Sequence, residues 1–181
     1  MIDIGGGSTE IMTIEPDGSA NEISLPLGAV YLTERFLKSD PPAAIELEMI
    51  RNDVRRSLNE AGHRPVARLV GTAGTVATLA SMDQKLDEYN PDRINGYVLT
   101  KNAVKEITRT LSISTLKERR RLQGLEPGRE DIILAGAIVA LEIMDHYRID
   151  TMLASDWGLR EGIILDLYDK IITGRSDTEA V

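Results

Sequence analysis

Three consecutive glycines, Gly5-Gly6-Gly7, separate a short apolar stub ending in Asp3-Ile4 from an alternating stretch, Ser8 to Glu15. Lacking Cβ atoms, they let successive backbone N–H groups converge on an anion. The residues after them restrict the fold. Ile11 and Thr13 alternate with Met12 and Ile14 before Pro16-Asp17-Gly18 supplies a turn, so the glycines lead from one strand into another. A Walker loop needs Lys after its last Gly and a Rossmann fingerprint opens a helix, and neither fits here. The segment reads as a hairpin bend that can cradle phosphate. Ser8 and Thr9 add hydroxyl donors. Asp3 puts a carboxylate at a strand end, where hydrated Mg²⁺ can sit beside phosphate oxygens. Glu10 emerges on the far flank, suited to orienting a water. A bare glycine loop between two solvated acids is the competing interpretation, and the acid on each side of the bend favours the phosphate site.

Composition narrows the field. The 181 residues suit one domain or one lobe of a larger protein. A net charge of −8 opposes long-range attraction to nucleic acid or anionic membranes, so a polyanion must be held locally. One Trp, one Phe and five Tyr offer no base-stacking platform. Without cysteine there is no thiol nucleophile and no thiolate metal site, and two histidines make a histidine-rich centre untenable. The apolar run from Ile132 to Met144 is broken by Glu142 and falls short of the ~20 residues a bilayer requires. Neither nucleic acid nor membrane is therefore an expected partner, and a cytoplasmic location is expected.

Further along, the pattern predicts a strand over Ala20–Leu25, helices over Ala29–Leu37 and Ala43–Ala61, and a strand over Val66–Val70. Gly71-Thr72-Ala73-Gly74 then reads as a tight turn into a helix over Thr75–Met82. Lys85–Asn95 reads as loop. Strand Tyr97–Leu99 and helices ending near Leu111 and Leu122 follow, with a long helix over Glu130–Tyr147. A last strand over Thr151–Ala154 precedes a closing amphipathic helix over Leu159–Ile172, and 175–181 read as a frayed tail. Arg51, Arg55 and Arg56 are expected to face water. The fold class is α/β, a mixed sheet with helices packed on its faces.

The Asp3–Glu10 segment resembles the phosphate motif of the superfamily that holds actin, sugar kinases and chaperone ATPase domains, and more closely the second phosphate motif of the exopolyphosphatase and guanosine pentaphosphate phosphohydrolase (Ppx/GppA) family. The resemblance continues through Leu25-Pro26-Leu27-Gly28-Ala29, Gly71-Thr72-Ala73-Gly74-Thr75, Gly96-Tyr97-Val98-Leu99-Thr100, Pro127-Gly128-Arg129-Glu130-Asp131 and Ser155-Asp156-Trp157-Gly158-Leu159-Arg160-Glu161-Gly162. It implies a ribonuclease-H-like lobe, the second of two flanking a cleft, with residues 1–174 as that lobe and the first lobe absent. It further implies cleavage of terminal phosphate from inorganic polyphosphate or guanosine pentaphosphate with Mg²⁺ or Mn²⁺. Asp3 would help bind metal, Gly5, Gly6, Gly7, Ser8 and Thr9 would grip phosphate, and Glu10 would assist the attacking water. A lobe alone is expected to be inactive, and its exposed apolar face leaves room for a homodimer. A non-catalytic phosphate-binding or assembly lobe, and an ATP-binding lobe of a kinase or chaperone, are the alternatives.

Two secondary sites are also legible. The place of Gly71, Thr72, Ala73 and Gly74 resembles the superfamily's adenosine motif, and the helix after them offers free N–H groups to an anion, with a strand-to-helix turn of small packing residues as the alternative. Arg129 after Pro127-Gly128 is placed for bidentate phosphate contact, with an ion pair to a neighbouring acid as the alternative. Lys117, Arg119, Arg120 and Arg121 form the densest basic cluster, either solvated or guiding a phosphate chain. The Asp156-Trp157 corner reads as structure more than cleft. His63 and His146 have no catalytic partner in the sequence.

Overall fold

The computed structural model describes residues 1–15, 17–62 and 64–173, so His63 and the tail over 175–181 lie outside the described residues. Strands β1 (Ile2–Ile4), β2 (Thr9–Ile14) and β3 (Ala20–Leu25) form an antiparallel meander. Helices α1 (Ala29–Phe36) and α2 (Ala44–Ala61) lead to β4 (Leu69–Thr72), which runs parallel to β1 and directly into α3 (Ala73–Gln84). After α4 (Pro91–Ile94) come β5 (Val98–Thr100), α5 (Lys101–Ile113), α6 (Leu116–Arg119) and α7 (Ile133–His146). Strand β6 (Thr151–Ala154) pairs parallel with β4 and antiparallel with β5, and α8 (Leu159–Thr173) comes last. The six-stranded sheet has the order β3-β2-β1-β4-β6-β5.

The α/β class with a mixed sheet is as expected. Alternation along the strands sends Ile2, Ile4, Ile11, Leu69, Leu99 and Met152 to one face, where they are buried under α3 and α7. Val98 and Leu153, on the other face, are about half exposed. Helix α7 is buried along nearly its whole length because its small residues admit close neighbours. A Cβ on Gly136 would lie 2.6 Å from Thr75 Cγ2 of α3.

Several boundaries differ from the sequence expectation. No separate turn occupies 71–74: β4 extends through Thr72 and α3 starts at Ala73, whose φ of +68° reverses the chain within one residue. Helix α7 begins at Ile133 rather than Glu130, so Arg129 lies in the preceding turn. Helix α6 stops at Arg119, and the expected loop contains α4, capped by Asn90. Helix α8 does not close the fold as an amphipathic element. Ile163, Ile164, Leu165, Leu167, Tyr168, Ile171 and Ile172 are all exposed. Among the described residues, no helix is long and apolar enough to cross a membrane.

Of the α2 arginines expected to face water, Arg55 and Arg56 do, whereas Arg51 is 25% exposed, and Arg51 and Arg55 both turn to Glu142. This carboxylate is 3% exposed inside α7 and accepts from Arg51 Nη1 at 2.9 Å, Arg55 Nε at 2.7 Å and Arg55 Nη2 at 3.1 Å. Arg56 pairs with Asp53. The acid that interrupts the apolar run is thus the anchor of α2 on α7. Removing both partners by Arg51→Ala with Arg55→Ala leaves a buried carboxylate uncompensated, which costs about 3 kcal/mol. Urea unfolding measures this, and a loss below about 1 kcal/mol would mean that water reaches Glu142.

Candidate active site

Strands β1, β4 and β6 run parallel and side by side, so their carboxyl ends open onto one edge, the position where α/β sheets form ligand crevices. A cavity of about 300 Å³ lies there. Asp3 comes from β1, Thr72, Ala73 and Gly74 from the β4–α3 junction, and Ser155 and Asp156 from the end of β6. Tyr89, Glu126, Arg129 and Glu161 complete its polar lining.

The meander places the two acids. Asp3 and Glu10 are direct partners in the β1–β2 register, and alternation turns both away from the face that buries Ile2, Ile4, Thr9 and Ile11. Like charges directly opposite one another destabilise an antiparallel pair. Burial first, and then the facing Glu10 carboxylate, hold the Asp3 carboxyl above its ordinary value. Glu10 is itself fixed: its Oε1 accepts from Ser8 Oγ at 2.5 Å and Ser24 Oγ at 2.8 Å, leaving Oε2 without a donor among the described residues.

A carboxyl group with a raised folded pKa binds more protons in the native state, so ionised Asp3 lowers stability, and stability rises as pH falls through that pKa. Asp3→Asn is therefore expected to stabilise the fold at neutral pH by less than about 1 kcal/mol, since solvent screens a half-buried group. The gain should vanish below the ordinary Asp value of 3.8, where both states are protonated. Thermal melts of the two proteins across pH measure it, and a destabilised Asn variant would contradict the like-charge account.

Between the acids, the glycine bend is oriented by its carbonyls. Gly5 O accepts from Ala29 N at 2.9 Å, and Gly6 O from Val30 N at 2.9 Å and Tyr31 N at 3.1 Å, so the bend caps the start of α1. Gly5 N–H donates to Ser8 O at 3.0 Å, while the N–H groups of Gly6 and Gly7 have no acceptor among the described residues. Gly28 supports this arrangement, because a Cβ there would stand 2.1 Å from Gly6 O. Thr9 does not face a ligand: it is fully buried and its hydroxyl donates to Leu27 O at 2.8 Å.

The β4–α3 junction brings Arg129 to the cavity. Its guanidinium lies where a Gly74 Cβ would be, 2.1 Å from Nη2, so only glycine leaves room for it. Arg129 pairs with Glu126, not with Glu130 or Asp131. Thr75 Oγ1 donates to Ile4 O at 3.0 Å and Thr72 Oγ1 to Trp157 O at 3.0 Å, tying the junction to β1 and to the segment after β6. Tyr89 donates its hydroxyl to Asp156, and burial followed by that bond pushes its pKa up to about 12, keeping it a neutral donor.

Of the residues expected from sequence, Asp3, Thr72, Ala73, Gly74 and Arg129 share this cavity. Gly5, Gly6, Gly7, Ser8 and Glu10 stand one strand or one turn away, joined to it through Asp3. Gly71 packs against Met152 and Val76 beneath the junction. The basic cluster is divided: Arg119 is buried with Nε on Leu111 O and Nη1 on Glu130 O, and Arg120 pairs with Glu130. Asp156 lines the cleft, where the sequence favoured a structural role for the Asp156-Trp157 corner, and Ser155 lines it as well. Tyr89 and Glu126 carried no sequence signal, since each lies in a connection whose path only the fold determines. No group of three or more acids and histidines arranged to hold a metal occurs among the described residues. Asp3, facing Glu10, suits a divalent ion such as Mg²⁺, which takes one or two carboxylates and completes its shell with water and phosphate oxygens. A cation there would relieve their mutual repulsion.

Comparison with known proteins agrees with this architecture. The family model described as the Ppx/GppA phosphatase family matches residues 1–171. Exopolyphosphatase 2 of Mycobacterium tuberculosis (strain ATCC 25618 / H37Rv) is 36% identical over 175 residues, covering 92% of this chain and 54% of the relative. Exopolyphosphatase 1 of Mycobacterium leprae is 33% identical over 180 residues, covering 96% and 52%. The crystal structure of the Aquifex aeolicus member of the Ppx/GppA family superposes with a TM-score of 0.87 at 34% identity, over 97% of this chain and 56% of that one. The chain spans about half the length of these relatives.

Proposed function

This chain belongs to the Ppx/GppA phosphatase family, and from that premise we propose that it is the second lobe of a phosphoanhydride hydrolase releasing terminal phosphate from inorganic polyphosphate or guanosine pentaphosphate. One observation carries the reading. Asp3 and Glu10 face each other across a bend whose Gly6 and Gly7 amides have no acceptor among the described residues. In this account those amides receive the oxygens of the terminal phosphoryl group, while the Ser8 hydroxyl stays on Glu10. Glu10, steadied by Ser8 and Ser24 on one oxygen, takes a proton on the other from the attacking water. As the water oxygen bonds to the terminal phosphorus, the bridging P–O bond breaks and the shortened chain departs with its electron pair. Asp3 would hold Mg²⁺ or Mn²⁺, which would neutralise charge on the phosphate oxygens. Arg129 must exchange Glu126 for a substrate oxygen, which suits a bidentate fork.

The cavity lining also supports a dependence on further residues. Among the described residues of the lining, Asp3, Glu126, Asp156 and Glu161 set four acids against one base, Arg129. An anionic substrate therefore needs a cation such as Mg²⁺ to settle there, and turnover would draw on bases from a facing lobe. Phosphate release from polyphosphate and from guanosine pentaphosphate by the intact protein, with and without Mg²⁺, tests the reading. Activity retained in both Glu10→Ala and Asp3→Asn would refute it. Calorimetric titration of the chain alone with polyphosphate and Mg²⁺ is expected to show binding without turnover, which separates a binding lobe from a complete enzyme.

A further inference from the structure

Helices α2, α5 and α7 enclose a groove of about 500 Å³ that shares no lining residue with the cavity at the strand ends. Its walls carry five of the 21 bases of a chain whose net charge is −8. Arg51 and Arg55 stand four residues apart on α2, and Lys101, Lys105 and Arg109 stand four apart on α5, so each helix presents a basic stripe. The α5 stripe runs about 12 Å.

The acids around the groove do not cancel these charges evenly. Glu142 and Asp145 line it. Glu142 is occupied by Arg51 and Arg55, which it holds in place while Arg51 spends a single N–H on it. Glu48 lies 3.6 Å from Arg55, and Asp145 and Asp150 lie 3.4 and 2.9 Å from Lys101. Glu106 pairs with Arg109 at 3.0 Å, but both side chains are more than 60% exposed and such a pair exchanges readily. Lys105 is exposed and has no carboxylate partner among the described residues. Arg51, with one N–H spent, thus faces Lys105 and Arg109 across a hollow, a pattern suited to an elongated polyanion: the guanidiniums match phosphate oxygens as forks and the lysine acts as a point charge.

We propose that this groove is a second anion site, separate from the strand-end cleft, that binds a phosphoanhydride chain. Inorganic polyphosphate and the 5′ chain of a nucleoside triphosphate present the same chemistry, while a single orthophosphate is too short to engage both stripes.

Calorimetric titration of the chain with medium-length inorganic polyphosphate, with GTP and with orthophosphate tests this. The Lys105→Ala, Arg109→Ala double variant is expected to bind polyphosphate about tenfold more weakly at 0.1 M salt. The Lys105→Arg, Arg109→Lys variant should restore binding, since it keeps both charges. Both side chains are exposed, so thermal melting should stay unchanged and a loss of fold is distinguishable. Repeating the titrations in an Arg129→Ala background keeps the groove apart from the cleft, and the tenfold loss should persist there. GTP binding that also weakens in the double variant identifies a triphosphate as sufficient, whereas weakening confined to polyphosphate identifies the longer inorganic chain. Unchanged polyphosphate affinity and stoichiometry in the double variant, or loss of all binding on Arg129→Ala alone, would overturn the proposal without bearing on hydrolysis.

Discussion

Glu10→Gln is expected to lower phosphate release by the intact protein about 10²–10⁴-fold, the range for loss of a positioned general base, with little change in stability. Glutamine keeps the shape and the hydrogen bonds that Ser8 and Ser24 make to Oε1, but cannot accept the water proton. It also removes one of two facing negative charges, so the protein should be no less stable than its parent. KM should change much less than kcat, because the proposed grip on the substrate comes from the glycine amides and not from this side chain. Steady-state kinetics together with thermal melting measure both quantities. Parental kcat in a folded Gln variant would remove Glu10 from the chemistry.

The second large effect is expected at Gly28, away from the reacting atoms. Its φ of −80° is open to any residue, so alanine would be tolerated conformationally. The obstacle is contact: a Cβ would meet Gly6 O at 2.1 Å and the Gly7 carbonyl carbon at 2.3 Å. These are backbone atoms fixed by three hydrogen bonds from the start of α1. The bend must therefore move, at a cost of about 3 kcal/mol or by tearing those bonds. Either outcome misaims the Gly6 and Gly7 amides, so Gly28→Ala should lose phosphate affinity and activity together, unlike Glu10→Gln. Urea unfolding and orthophosphate inhibition measurements check this pair of effects. A stable Ala variant with parental affinity would show that Gly28 does not set the bend.

The contrast between these residues shows how function is built here. A local device, alternation along paired strands, puts Asp3 and Glu10 on one face at the cost of repulsion. Distant packing then aims the bend: Gly28 leans on Gly6, Thr9 is tied to Leu27, and Thr75 is tied to Ile4. Arg129 is positioned in the same way, by the space that Gly74 leaves open.

Much of this was legible from residues alone, because the relevant interactions are short in sequence. Period-two alternation, glycine punctuation and the acids flanking the bend all act within about ten residues, and they determined the meander, the hairpin turn and the facing of Asp3 with Glu10. The tertiary structure decided what depends on neighbours far along the chain. Glu142, which looked like a flaw in an apolar helix, became the anchor for Arg51 and Arg55 some 87 to 91 residues away. Arg119, one of four apparent surface bases, was drawn inside by the carbonyls of Leu111 and Glu130. Tyr89 and Asp156 met across 67 residues to line the cleft. Local sequence sets backbone periodicity and turn chemistry, but the partner that satisfies a buried charge or donor depends on how helices and strands pack, and that is written only in three dimensions.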